Sequence, residues 1–418
     1  MLKTLSRLSF LVLAILAMSY ILPLSFDKVF GKHNEDPLLF YSPVLHQFVY
    51  QESLGGHRFN YLDEEGRSYS RQEFEALLPF VYSRNLERRD LLPMVLEGRS
   101  FDAQSISEDR QGLEIRARHV RGQKPRIQLY PLFNNDPQVA MMRFPVEVFR
   151  FTPNAMEFID ADHNRLDPHL TGRFTEALKD KGFVFPAEVI GGRPTNLKPF
   201  DDGYFIGDSM GQVFHVKRVL NEPQIFRLPL DSPLDILDVV VTEHERREFH
   251  GVIITRQGEV FLIRWGDYGL IPLPVKDYDP RSMDLKLLID PLYRTVTVSS
   301  RGAVTGVAMD AGYQVIRRYE LPRREAASDL VRHSRDFLFP FQLTLESPHH
   351  GQAHVGLHVG GPWSLAGILL AFALFFLLSR RDPPFPANKG DLAVVALSGL
   401  LGLTAVAFMK GDFFPSAA

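Results

Sequence analysis

The residues best suited to chemistry lie near the end of the chain. Ser347-Pro348-His349-His350-Gly351-Gln352-Ala353-His354-Val355-Gly356-Leu357-His358 gathers four of the 14 histidines. Neutral imidazoles bind zinc, copper or nickel and titrate near neutral pH. His349, His350, His354 and His358 are therefore the candidate ligands for a divalent metal. On a helix, the four-residue spacing of His350, His354 and His358 would line one face. Gly351, Gly356, Gly360 and Gly361 oppose a stable helix, and a polar linker is the plainer reading.

Three other motifs approach known chemistry and stop short. Gly207-Asp208-Ser209-Met210-Gly211 matches the Gly-x-Ser-x-Gly of hydrolases, but a nucleophile elbow needs a strand before it and a helix after it. Here strand-forming residues follow, so a hairpin turn is expected at Ser209. His244-Glu245-Arg246-Arg247-Glu248 resembles a zinc-protease helix but has Glu where the second histidine belongs, and reads as a solvated loop. Asp160-x-Asp162-x-Asn164 starts like a calcium loop, yet positions six and twelve are Arg165 and Thr171 rather than Gly and Glu.

No P-loop or dinucleotide fingerprint occurs, so no cofactor is expected. Cysteine is absent, which excludes disulfides, thiolate metal sites and cysteine nucleophiles. A net charge of -3 argues against a nucleic-acid partner. Arg116, Arg118, Arg121, Lys124 and Arg126 form one local basic patch, with Arg116 and Arg118 expected on one strand face.

Three apolar runs must place whatever chemistry exists. Residues 8–26, 363–379 and 391–409 are each long enough to cross a hydrocarbon core of about 30 Å. Ala17-Met18-Ser19 is a passable signal-cleavage pattern, but the run continues through Ile21, Leu22 and Leu24, as in a retained anchor. Lys3, Arg7, Arg380, Arg381 and Lys389 put residues 1–7 and the 380–390 loop in the cytoplasm by the positive-inside rule. Residues 27–362 and the tail 410–418 would then lie outside a bacterial cytoplasmic membrane. In the third run, Ser398 and Gly402 are small residues suited to packing on the second.

The segment 27–362 reads as mainly β. Strand, Asp/Ser/Thr-rich turn ending in Gly, strand recurs at 204–216, 251–263 and 295–307. The turn residues Gly66, Gly112, Asn164, Gly211, Gly258 and Gly302 fall 44–52 residues apart, the size of a propeller blade. A propeller of six or seven blades is expected, with 337–345 pairing with 38–52 to close it. Two helices interrupt the strands. A capping box at Ser70-Arg71-Gln72-Glu73 opens one, and Asp167-Pro168 opens another that ends at Lys181-Gly182.

Tyr61-Leu62-Asp63-Glu64-Glu65-Gly66, Arg71, Glu73-Phe74-Glu75, Leu77-Leu78-Pro79-Phe80, Tyr82, Leu86 and Leu92-Pro93 resemble a segment of a bacterial membrane-protein family of unknown function. Genes of that family lie beside ABC-transporter components. The resemblance implies an accessory to a transport complex and carries over no catalytic residue. The expectation is a non-catalytic, membrane-anchored interaction or sensing protein, with the lipid bilayer, an ABC-type permease and an ATPase as partners. The alternatives are a metal- or small-ligand-binding module using the histidine tract and a periplasmic serine hydrolase using Ser209.

Overall fold

The computed structural model describes residues 2–30, 37–55, 57–120, 128–139, 141–300, 302–323, 329–346, 354–381 and 389–408. The chain divides into two compact units. One is residues 36–323, and the other joins residues 1–35 to 324–418.

In chain order, α1 (Leu2–Phe30) precedes a three-stranded antiparallel sheet of β1 (Leu38–Ser42), β2 (Gln47–Gly55) and β3 (Arg58–Asp63). Next come α2 (Arg71–Leu77), α3 (Ser83–Glu87), the small hairpin β4 (Met94–Leu96) and β5 (Arg99–Phe101), α4 (Ala103–Glu108), β6 (Gln111–Ile115), β7 (Tyr130–Pro131) and β8 (Asn134–Asn135). A second sheet has the order β11-β10-β9-β7, from β9 (Glu147–Phe151), β10 (Met156–Asp160) and β11 (Arg165–Asp167). α5 (Pro168–Asp180) leads to a third sheet of β12 (Ala187–Gly192), β13 (Tyr204–Asp208), β14 (Val213–Val219) and β15 (Glu222–Arg227), with β8 parallel to β14. The fourth is β16 (Ile236–Val241), β17 (Phe249–Thr255), β18 (Val260–Arg264) and β19 (Leu270–Pro272). The fifth joins β20 (Asp284–Ile289), β21 (Arg294–Ser299), β22 (Ala303–Met309) and β23 (Val315–Pro322) to the distant β6, in the order β23-β22-β21-β20-β6.

Neighbouring sheets stack through their faces, so central strands are apolar on both sides and read as near-continuous hydrophobic runs. Every residue of β13 and β17 is buried, whereas the edge strand β23 is mostly exposed. Phe158, Tyr204, Ile206 and Phe214 join the second sheet to the third, with Phe174 of α5. Phe205, Val213, Ile253 and Ile263 join the third to the fourth. Val252, Ile254, Leu285 and Val296 join the fourth to the fifth, and Leu39, Phe48, Val304 and Leu321 join the fifth to the first.

A chemical rule underlies the turn repeat. The Asp63 carboxylate accepts the backbone N–H groups of Glu65 and Arg67; Asp208 accepts those of Met210 and Gln212; Asp310 accepts those of Gly312 and Gln314. An Asp side chain thus stands in for a backbone acceptor and closes the turn. Gly66, Asn164, Gly211 and Gly258 all have positive φ. Gly112 is a correction, because it lies inside β6, paired with Leu288, rather than in a turn. The helix starts agree with expectation. Ser70 and Glu73 form a reciprocal capping box, and Pro168 follows the capping Asp167. Arg118 sits in a single 3₁₀ turn (Ala117–His119), not on a strand face with Arg116. Arg121, Lys124 and Arg126 lie outside the described residues.

In the other unit, α6 (Asp329–Leu338), a hairpin of β24 (Phe341–Glu346) and β25 (His354–Val359), α7 (Trp363–Arg381) and α8 (Lys389–Phe408) complete the chain. Residues 341–346 therefore pair with 354–359 and not with 38–52. Ser6–Phe30, Trp363–Arg380 and Gly390–Phe408 are long and apolar enough to cross a membrane. Leu11, Ile15, Phe375, Val395, Leu403 and Val406 form their shared core. Arg7 pairs with the buried Asp391 at 3.0 Å, and Asp27 pairs with Arg335 at 2.8 Å. Twenty residues of helix separate Arg7 from Asp27, about 30 Å of rise, so one ion pair marks each end of an apolar slab. The close approach between α7 and α8 is made at Gly399, where a Cβ would stand 3.2 Å from Ile368. The Ser398 hydroxyl instead donates to Val394 O within its own helix.

Candidate functional site

Among the described residues, Asp202, His215 and His250 bring three potential ligand atoms within 4.8 Å of one another. This cluster lies where the third and fourth sheets meet. His215 interrupts the run Val213-Phe214-His215-Val216 of β14 and faces the fourth sheet. His250 sits at a β-bulge, where the register of β17 against β18 skips between Phe249 and Gly251. The extra residue turns its imidazole toward Asp202. Asp202 stands two residues before β13, and the intervening Gly203 makes the position feasible. Its φ is +69°, and a Cβ there would lie 2.3 Å from Val216 O.

The hydrogen bonds fix the protons. His215 Nε2 lies 2.5 Å from Asp202 O, an acceptor only, so this nitrogen carries the proton and Nδ1 accepts from the Tyr268 hydroxyl at 3.0 Å. His250 Nδ1 donates to Asp202 Oδ2 at 2.6 Å, while its buried Nε2 has no hydrogen-bond partner. Lys217 Nζ lies 2.6 Å from Asp202 Oδ1. His215 stacks on Phe205 at 4.2 Å, and His250 stacks on Trp265 at 4.1 Å. Burial pushes the His215 imidazole down to about 4, so it is neutral near pH 7. Burial pushes the Asp202 carboxyl up, but the His250 hydrogen bond and the charges facing it, Lys217 included, outweigh this and hold it below the usual carboxylate range.

A second polar group adjoins it. Lys198 Nζ contacts Asp201 Oδ1 and Glu243 Oε1, each at 2.6 Å, and lies 4.7 Å from the Phe133 ring centre. Glu243 Oε1 also accepts the Asp202 N–H. Burial raises the Glu243 carboxyl.

A metal fits this cluster poorly. An ion about 2.1 Å from each donor keeps donors roughly 3 Å or more apart, whereas His250 Nδ1 and Asp202 Oδ2 stand at proton-sharing distance. The nearer nitrogens of both histidines carry protons already in use, and an ammonium already neutralises the carboxylate. Asp202, His215 and His250 are 0–4% exposed, which also closes them to substrate. The arrangement is a polar pin across two sheets.

The sequence-nominated residues stand elsewhere. His349 and His350 lie outside the described residues. His354 and His358 lie on β25, a strand, which spaces their Cα atoms about 13 Å apart rather than the 6 Å of a helix. Positions four apart share a face on a strand as on a helix, so what differs here is the wider spacing along that face. His358 is exposed. Ser209 is in the β13–β14 turn and donates to Val184 O at 3.0 Å. Asp160 closes a turn through Asp162 N and His163 N. The 244–248 run is a loop with Glu245 and Arg247 exposed, and the solvated-loop reading is corrected only at Arg246 and Glu248. Glu248 accepts both Nε and Nη2 of Arg294 at 2.9 Å, Arg246 at 2.7 Å and Tyr313 at 2.6 Å, pinning the fourth sheet to the fifth. A cleft of about 390 Å³ beside β1, β6 and β20 is lined by Arg110, Glu114, Asp284 and Lys286.

Fold and site together define a mainly β protein of stacked sheets with polar pins between them, joined to three apolar helices. The chain belongs to the family described as domain of unknown function DUF4857, whose model matches residues 38–309. No curated protein matches it in sequence. Among solved structures it is similar to PorZ, a bacterial surface component of the type-IX secretion system of Porphyromonas gingivalis. The identity is 10% and the TM-score 0.23, over 77% of this chain and 38% of that one. It is also similar to the β-propeller domain of Cps50 (Swd1) from Myceliophteria thermophila, at 8% identity and TM-score 0.26, over 57% of this chain and 68% of that one. The chain thus spans well under half of the PorZ chain.

Proposed function

We propose that this protein is a non-catalytic, membrane-anchored interaction or sensing protein on the extracytoplasmic side of a bacterial cytoplasmic membrane, serving as an accessory subunit of an ABC-type transport complex. The observation that carries the reading is the joining, in one chain, of three apolar helices to a separate stacked-sheet unit whose Asp202, His215 and His250 are sealed inside as a pin. The sheet unit fits a propeller-like repeat, and a count of six or seven blades rests on the 44–47-residue spacing of Asn164, Gly211, Gly258 and Gly302. Lys3, Arg7, Arg380, Arg381 and Lys389 support a cytoplasmic location for the end of the helix unit that carries the Arg7–Asp391 pair. With no P-loop in this chain, the ATPase and permease would be other chains.

The test is a pull-down of the tagged full-length protein in mild detergent with mass spectrometry. Recovery of a permease and an ATPase in fixed ratio is the expected result. Recovery of the protein alone overturns the accessory role.

A further inference from the structure

The β24–β25 hairpin is amphipathic in both strands at once. Its register aligns Phe341 with Val359, Leu343 with Leu357 and Leu345 with Val355. Directly paired residues share a face and successive residues alternate, so all six apolar side chains lie on one face. Gln342, Thr344, Gly356 and His358 lie on the other. Among the described residues the apolar face is covered at its base, where Phe341 packs into the helix core. Leu345, Val355, Leu357 and Val359 are 55–79% exposed. An isolated two-stranded hairpin is marginal in water without something on its apolar face.

We infer that this face lies on the membrane surface, with Leu345, Val355, Leu357 and Val359 in the outer-leaflet interface. Three observations select lipid. First, the apolar face runs on from Phe341 into the cluster built by the membrane-crossing helices, whose own outward residues, such as Leu13 and Leu369, are equally exposed and apolar. Second, Val359 stands four residues before α7, whose first residue, Trp363, is half-exposed and packs on His333 at 5.3 Å, a residue type that favours the headgroup level. Third, Arg335 bridges Asp27 near the end of α1 and Gln342 at the hairpin base, which keeps charge at that same level. The hairpin's unpaired edges exclude it from the hydrocarbon centre, where open backbone groups find no partner. The interface satisfies edges and face together, and it turns His358 toward water.

This inference rests on the membrane reading of the three helices, and the test separates the two. The chain has no cysteine, so each introduced one is a unique label site. Val355→Cys, Leu357→Cys, Val359→Cys and His358→Cys are spin-labelled in the full-length protein, reconstituted in phosphatidylethanolamine–phosphatidylglycerol vesicles. Leu13→Cys and Leu369→Cys report lipid, and Leu197→Cys in the sheet unit reports water. At 355, 357 and 359 the expected ratio of oxygen to nickel-chelate accessibility matches 13 and 369 and is several-fold above that at 358 and 197. Nickel accessibility at 355, 357 and 359 with lipid-like values at 13 and 369 overturns the inference and leaves the membrane reading standing. Exclusion of both reagents at 355, 357 and 359 overturns it in favour of a protein partner or a second copy. Nickel accessibility at 13 and 369 as well overturns both readings.

Discussion

His215 commits both ring nitrogens inside the protein, one donating to Asp202 O and one accepting from Tyr268. Its imidazole titrates near 6.5 in the unfolded chain and about 4 in the folded one. Between those values the unfolded chain holds more protons, so stability falls as pH drops, by about 3 kcal/mol on reaching pH 4. Denaturant unfolding of the full-length protein, followed by fluorescence with Trp265 beside His250, should show this slope, and His215→Asn should flatten it. Asp202→Asn removes the charge facing Lys217 and the ionised acceptor for His250. It should cost about 3 kcal/mol in the same measurement. These residues carried only a faint signal in sequence. A histidine inside Val213-Phe214-His215-Val216 and another after Phe249 break two otherwise apolar runs. Nothing in their spacing reveals that adjacent sheets bring them to one carboxylate, since that meeting depends on sheet stacking and on a bulge.

The turn between β17 and β18 shows how much a single glycine decides. Gly258 has φ +86°, and a Cβ there would collide with Tyr278 O. Gly258→Ala should therefore destabilise the sheet unit by about 2 kcal/mol or more, read as a lower denaturant midpoint at unchanged slope. Such turns were legible because Asp, Thr or Ser ahead of Gly is a local signature with a local cause. The fifth sheet was less so. β6 joins β20 across more than 160 residues, and no property of Gln111–Ile115 names its partner. In 341–346 and 354–359 apolar and polar residues alternate, yet Gly351, Gly356, Gly360 and Gly361 favour a polar linker in the sequence. Period two was the stronger pattern because it runs through both strands.

At the scale of the whole chain, the Arg7–Asp391 and Asp27–Arg335 pairs of the helix unit make its topology testable. Arg7 and Asp391 adjoin, so the start of α1 and the start of α8 share one end. A reporter inserted at 384–386 should show the same compartment as one fused before residue 1, and opposite compartments would refute the arrangement. Arg7→Leu removes the guanidinium 3.0 Å from the buried Asp391 carboxylate and should cost about 2 kcal/mol of bundle stability, the scale of one hydrogen bond to a charged group, seen as a lower melting temperature in detergent. Exchanging the charges in Arg7→Asp with Asp391→Arg should restore much of it.

The same pair sets an order of events during synthesis. Asp391 follows Arg7 by 384 residues. At roughly 5–20 residues per second, the ribosome needs on the order of 20–80 s to supply the second partner after the first. When α1 is made neither α7 nor α8 yet exists, and every strand of the 36–323 unit is made before α8 supplies Asp391. The last helix to be made closes the first, so a chain cut short by translation or proteolysis before 389 presents an unmatched guanidinium on its first helix as a mark of incompleteness.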